Sequence, residues 1–127
     1  MSLKSAFRTL AAVTTSLLPL LVFASEQDNP GCRKDSRVIA ACFTVHGRLS
    51  NWNGNLTERI WIIGTKRMLG LREDTSLPKA LEEKLGNFDD EVYGDFDFCP
   101  FTAEKPGVMQ VGCVAGVSHY QIKKRGN

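Results

Sequence analysis

The sequence predicts a mainly β protein: a small β-sandwich on the scale of an immunoglobulin-like domain, with one short helix, stapled by disulfides. Three observations carry that expectation. Apolar and polar residues alternate with period two in several short runs, the pattern of half-buried strands. Segments rich in Asn, Gly and Pro separate those runs and supply turns. Four cysteines, Cys32, Cys42, Cys99 and Cys113, follow an N-terminal segment with the composition of an export signal.

That segment begins MSLKSAFR, with Lys4 and Arg8 and no acid, runs on through the apolar stretch Leu10 to Ala24, and gives way to the polar SEQDNPG. A basic start, a short apolar middle and a small residue at the boundary predict a signal peptide over residues 1–24, cleaved near Ala24. The apolar stretch is shorter than the roughly 20 residues a spanning helix requires, and Pro19 interrupts it. No membrane span is therefore expected after cleavage, and the expected location is secreted or periplasmic. Because Lys4 and Arg8 are the only charges removed, a mature chain of about 100 residues keeps 14 bases against 14 acids. That length holds one domain with a modest core. A neutral balance withdraws the electrostatic drive on which nucleic-acid binding depends, so no nucleic-acid partner is expected. The charges are unevenly spread, with eight bases against four acids from Ser25 to Arg72 and nine acids against two bases from Glu73 to Asp97. Such asymmetry is expected of opposite solvated edges of one domain.

Along the chain, residues 25–36 read as a flexible arm broken by Pro30 and Gly31, and residues 37–122 as the β-domain. Within Val38 to Leu49, Phe43, Val45, Gly47 and Leu49 fall on one side, and Cys42, Thr44, His46 and Arg48 on the other. SNWNGN follows with turn chemistry at Asn53-Gly54, and Arg59 to Ile63 resumes as a β-branched and aromatic strand, so the two form a hairpin. Trp61 is expected in the core. GTKRMLGLRE turns into a further short strand. Ser76 is placed to cap a helix over Leu77 to Leu85, with Pro78 in its first turn, Gly86 as its stop, and Leu77, Leu81 and Leu85 as its apolar stripe. Val92 to Cys99 alternates again, with Phe96 and Phe98 on one face and Tyr93, Asp95 and Asp97 on the other. PFTAEKPG is a loop, Val108 to Val117 the last strong strand, and residues 123–127 a basic tail.

An even number of cysteines in a small exported domain reads as disulfides. Four cysteines allow three connectivities, and proximity in sequence favours Cys32–Cys42 and Cys99–Cys113. Closing a loop of about 15 residues contributes roughly 3 kcal/mol through chain entropy. No C-x2-C pair is present and the two histidines are far apart, so neither a metal nor another cofactor is assigned.

GRLSNWNGNLTERIWII resembles the opening hairpin of transthyretin-like and carboxypeptidase-regulatory-like (prealbumin-like) domains. YGDFDF is similar to their glycine-led alternating strand, and KPGVMQVGCV to the proline-glycine lead-in of their last long strand. The resemblance spans Thr44 to Tyr120. It implies a prealbumin-like sandwich and an accessory binding role, and it transfers no catalytic residue. Leu56, where the family usually carries proline, the four cysteines and the helix depart from its pattern.

Among residues with chemistry, His46 shares the polar side of its strand with Thr44 and Arg48, and His119 lies near the end of the last strand. If those strands were neighbours, the two imidazoles could share zinc or copper. Asp95 and Asp97 stand two apart on a strand, the arrangement of solvated carboxylates more than of a calcium or acid–base pair. GTKRMLG lacks the pattern of a phosphate loop. Lys66, Arg67 and Arg72 with Arg48 and Arg59 could form an anion-binding face, against a plainly solvated one. Trp52, in the hairpin turn, either stacks on a sugar or partner or folds back over the hairpin. Asn55-Leu56-Thr57 is a glycosylation sequon if the host is eukaryotic.

No catalytic residue is assigned. The expected function is binding, with Trp52, His46 and Arg48 as candidate contacts and an extracytoplasmic protein, a glycan or a small hydrophobic molecule as partner. The competing expectations are a small secreted enzyme or metal-binding protein using His46 and His119 with Asp95 and Asp97, and a structural envelope component.

Overall fold

The computed structural model describes residues 11–16, 27–85 and 89–126. Apart from residues 11–16, the expected leader lies outside the described residues, as does the helix stop at Gly86. Eight elements follow in chain order: β1 (Gln27–Asp28), α1 (Pro30–Arg33), β2 (Phe43–Asn51), β3 (Glu58–Ile62), β4 (Met68–Leu71), α2 (Lys79–Lys84), β5 (Asp90–Pro100) and β6 (Gln110–Lys124).

The hairpin forms where the alternation placed it. β2 and β3 pair antiparallel from Gly47 opposite Ile62 to Asn51 opposite Glu58. The Trp52 amide closes the loop by donating to the Thr57 carbonyl at 2.7 Å. Gly54 turns the chain at φ 109°, a value that favours a residue without a Cβ. β3 continues antiparallel into β4, and β2 also pairs antiparallel with β5 over Phe43 to Leu49.

β6 completes the sheet. Its first residues run parallel to β4, with Leu69 opposite Gln110, and its length pairs antiparallel with β5, from Pro100 opposite Gly112 to Asp90 opposite Lys124. The mixed sheet therefore closes on itself in the order β6-β4-β3-β2-β5-β6, with the short β1 added at the free edge of β6. The protein is mainly β and disulfide-stapled, as expected. Within that class, the two inner faces a sandwich would pack together are opposite walls of one five-stranded barrel.

Period-two alternation fills the barrel. Leu49, Ile60, Leu69, Leu71, Phe96 and Val114 are essentially inaccessible to solvent, joined by Val92, Phe98 and Val117. Leu77, Leu81 and Leu85 of the α2 region enter the same cluster. The helix begins after Pro78, without Ser76 as its cap; the Glu82 side chain instead accepts the Leu77 amide at 2.9 Å. Trp61 differs from its expectation. Ile60 takes the inward position, leaving Trp61 half-buried on the outer face, where its indole donates to the Thr65 carbonyl at 2.8 Å and Arg48 lies 5.0 Å from its ring.

The disulfides correct the expected pairing: they are Cys32–Cys113 and Cys42–Cys99, 81 and 57 residues apart in sequence. Cys42 lies one position beyond the Phe43–Phe98 pair, which sets it across from Cys99 with Cα atoms 4.2 Å apart. Adjacency in the sheet overrides adjacency in the chain. The other bridge fastens α1 to β6, so residues 27–36 are not the flexible arm expected. The Asn29 amide donates to the Ala115 carbonyl at 2.6 Å, and its side chain donates to the carbonyls of Ser76 and Val114. The basic tail is likewise shorter than expected, since Lys123 and Lys124 pair with Glu91 and Asp90 inside β6.

Candidate functional site

The outer face of β2, β5 and β6 collects most of the singled-out residues. Sheet register sets Thr44 opposite Asp97, His46 opposite Asp95 and Arg48 opposite Tyr93. Each pair acquires a further partner. Arg33 of α1 reaches Asp97 at 3.0 Å, His119 reaches Asp95, and the Lys123 ammonium lies 5.0 Å from the Tyr93 ring centre. Further along, buried Glu91 accepts from the Ser50 hydroxyl at 2.6 Å and pairs with Arg48 at 3.1 Å. The uneven charge distribution is thus internal complementarity: Arg33, Arg37 and Arg48 of the basic half pair with Asp97, Asp74 and Glu91 of the acidic half.

At the centre of this face, Asp95 holds two imidazoles at once. His46 Nδ1 lies 2.9 Å from Oδ1 and His119 Nδ1 3.2 Å from Oδ2. The second contact depends on a β-bulge. Phe96 faces Val117 and Asp95 faces Ser118, but Tyr93 faces Gln121, so β6 carries one extra residue opposite Gly94. Tyr120 takes the inward place and packs against the core, directly over Gly94, where an added Cβ would stand 2.9 Å from Tyr120 Cβ. His119 is the extra residue, held at φ +49°, and its ring is turned outward onto Asp95. The sequence has no signal for that bulge, and strict alternation would not bring both imidazoles to one carboxylate.

Trp52 does not join His46 and Arg48 in a pocket. It is half-buried between the guanidinium groups of Arg59 and Arg125, whose carbons lie 5.8 and 5.4 Å from its ring. Arg48 is occupied by Trp61 and Glu91.

A second feature lies across the barrel. Arg59 of β3, Lys66 and Arg67 of the β3–β4 turn, and Lys105 of the β5–β6 loop surround a cleft of about 410 Å³. Met68, Pro106, Val108 and Met109 line its apolar part, with Val108 62% exposed. Glu104 is the carboxylate of this wall and pairs with Arg67 at 3.4 Å; Arg67 also donates to Gln110. A second cleft of about 420 Å³ involves Leu56, Arg72, Glu73 and Asp74. Of the five bases read as an anion-binding face, three line the first cleft, Arg72 lines the second, and Arg48 lies on β2, separated from Met68 of the first cleft by Trp61. Lys105 and Pro106 carried no sequence signal beyond that of a loop, and Val108 and Met109, expected to open the last strand, lie in the loop before β6.

Three carboxyl groups depart from the ordinary. Hydrogen bonds from Arg37 hold Asp35 down at about 2, and its bond to Asp74 also lowers that carboxyl. Burial, then the neighbouring Glu82 and Glu73, raises Glu58. The sulfurs of Cys32, Cys99 and Cys113 lie within 4.8 Å of one another, but all four cysteines are bonded, so none offers a thiolate to a metal or substrate.

Two disulfides suit an oxidising, extracytoplasmic compartment. Among the described residues, no helix is long and apolar enough to cross a membrane. Comparison with protein-family models, curated proteins and solved structures finds no match to this chain.

Proposed function

We propose that the protein is an exported binding domain, secreted or periplasmic, that captures an acidic glycan in the cleft between the β3–β4 turn and residues 104–109. The observation carrying this reading is the convergence of Arg59, Lys66, Arg67 and Lys105 on one open, partly apolar groove that contains a single carboxylate, Glu104. Bases at the rim attract carboxylate or sulfate groups, and the Met68, Pro106 and Val108 surface receives the apolar faces of sugar rings.

The position of the cleft supports the same reading. Five-stranded Greek-key barrels of the oligonucleotide- and oligosaccharide-binding type use the face of their second and third strands with the flanking loops. Here those strands are β3 and β4, and the loop before the last strand supplies Lys105 to Met109. That parallel concerns where a ligand sits; the ligand class rests on the side chains themselves.

The test is affinity for an acidic oligosaccharide such as oligogalacturonate against its neutral counterpart. Binding should favour the acidic form, weaken with added salt, and fall at least tenfold in Lys66→Glu and Lys105→Glu while His46→Ala binds normally. Equal binding of the neutral sugar, or indifference to both charge reversals, contradicts the reading.

A further inference from the structure

We propose that the four cysteines form a thiol–disulfide relay, in which a dithiol attacking Cys42 opens the Cys32–Cys113 bond and releases α1. Three of the sulfurs are gathered for it. Those of Cys32, Cys99 and Cys113 lie within 4.8 Å of one another, although Cys99 is bonded to Cys42. Cys99 also stands directly opposite Cys113 in the β5–β6 ladder. Residues so paired have Cα atoms about 4.5 or 5.5 Å apart, inside the roughly 4.4–6.8 Å that a disulfide spans. A Cys99–Cys113 bond can therefore form without displacing either strand.

Exposure decides where the steps begin. Cys42 is half-buried, whereas Cys32 is 4% exposed and Cys99 and Cys113 are inaccessible. Exchange requires access to the sulfur under attack, so the entering thiolate meets Cys42 first. It bonds to the Cys42 sulfur, and Cys99 leaves as a thiolate. Cys99 then attacks the Cys113 sulfur, forming Cys99–Cys113 and expelling Cys32 as a thiolate, which takes up a proton. The second thiol of the reductant displaces Cys42 from the mixed disulfide, leaving Cys42 as a thiol and the dithiol as its own internal disulfide. One dithiol is oxidised, one of the two protein disulfides is reduced, and the two thiol protons end on Cys32 and Cys42.

The exchange changes how the N-terminal segment is held. α1 has four residues, too few to persist as an isolated helix. Without the bond to Cys113 it keeps the Asn29 hydrogen bonds and an exposed Arg33–Asp97 ion pair, which contributes little. Reduction at one accessible sulfur thus frees a segment fastened by a different bond, and opens the buried cluster that Cys32 shares with Cys99, Cys113 and Ala115.

None of the four cysteines lines the basic cleft, so the relay stands or falls independently of glycan binding. The oxidised, folded protein is treated with one equivalent of dithiothreitol, quenched in acid with N-ethylmaleimide, and mapped by peptide mass. A Cys99–Cys113 link, absent before treatment, is expected, with the label on Cys32 and Cys42. Amide hydrogen exchange over residues 29–34 should quicken at least tenfold in the treated protein, while that of β3 and β4 is unchanged. Labels on Cys42 and Cys99 with Cys32–Cys113 intact overturn the proposal. So do a Cys32–Cys99 link, a folded protein that does not react, or unchanged exchange over residues 29–34.

Discussion

Cys99 and Cys113 stand opposite one another in the β5–β6 ladder, yet each is bonded elsewhere, Cys99 to Cys42 and Cys113 to Cys32. Cys99 lies across from Cys113 of β6 on one side and from Cys42, the residue before β2, on the other, and its bond to Cys42 leaves Cys113 to anchor α1. One bridge thus ties β2 to β5, and the other ties the N-terminal segment to β6.

Peptide mapping under non-reducing conditions should accordingly recover Cys32–Cys113 and Cys42–Cys99 links. Removing either bridge by paired alanine substitution should cost about 4 kcal/mol of unfolding free energy, since each closes a long loop. A recovered Cys99–Cys113 peptide contradicts the pairing.

Trp52 is a packing residue between Arg59 and Arg125. Trp52→Ala should lower stability by about 2 kcal/mol, less than full removal of a core aromatic because the ring is only half-buried. An unchanged melting temperature with loss of ligand capture would instead make Trp52 a contact residue.

Gly94 makes room for Tyr120 and so supports the bulge that presents His119. Gly94→Ala should destabilise by about 1–3 kcal/mol, because the new methyl meets Tyr120 and nearby backbone. The His119 ring resonances should move with it, while those of Lys66 and Lys105 stay in place.

Asp35 and Asp74 on one hand and Glu58 on the other give opposite pH signatures. Asp35, held at about 2, and Asp74, also lowered, contribute stability that is complete above about pH 4 and fades as pH falls through their folded values. The deficit of Arg37→Ala should therefore be largest at neutral pH and shrink toward pH 2. Glu58 is raised, so it weakens the fold as pH climbs past its unfolded value of about 4. Glu58→Gln should raise the urea midpoint at pH 7 and lose that advantage at pH 3. A pH-independent difference in either variant contradicts the assigned environments.

Much of the barrel was legible because inward and outward residues alternate through most of β2 and β5. Leu49 and Phe96 could be read inward, and His46 and Asp95 outward, from parity alone. The Leu77, Leu81 and Leu85 stripe likewise announced an apolar face that joins the core. Closure was not legible. The parallel pairing of β4 with β6 joins residues about 40 apart, and local pattern carries no term for it. The disulfide connectivity depends on that closure and was hidden with it. The His119 contact depends on one extra residue in one strand, which reverses the parity rule at that point. The basic cleft was half visible, as Arg59, Lys66 and Arg67, and incomplete because Lys105 reaches it only through the loop before β6.

The most direct measurement is a backbone nitrogen-15 chemical-shift titration of the protein with oligogalacturonate. Shifts should concentrate at residues 66–68 and 104–110 and vanish in the Lys66→Glu, Lys105→Glu double variant. A titration in which those amides stay still while others move, or in which nothing moves, would contradict the assignment of this cleft as the glycan-binding surface.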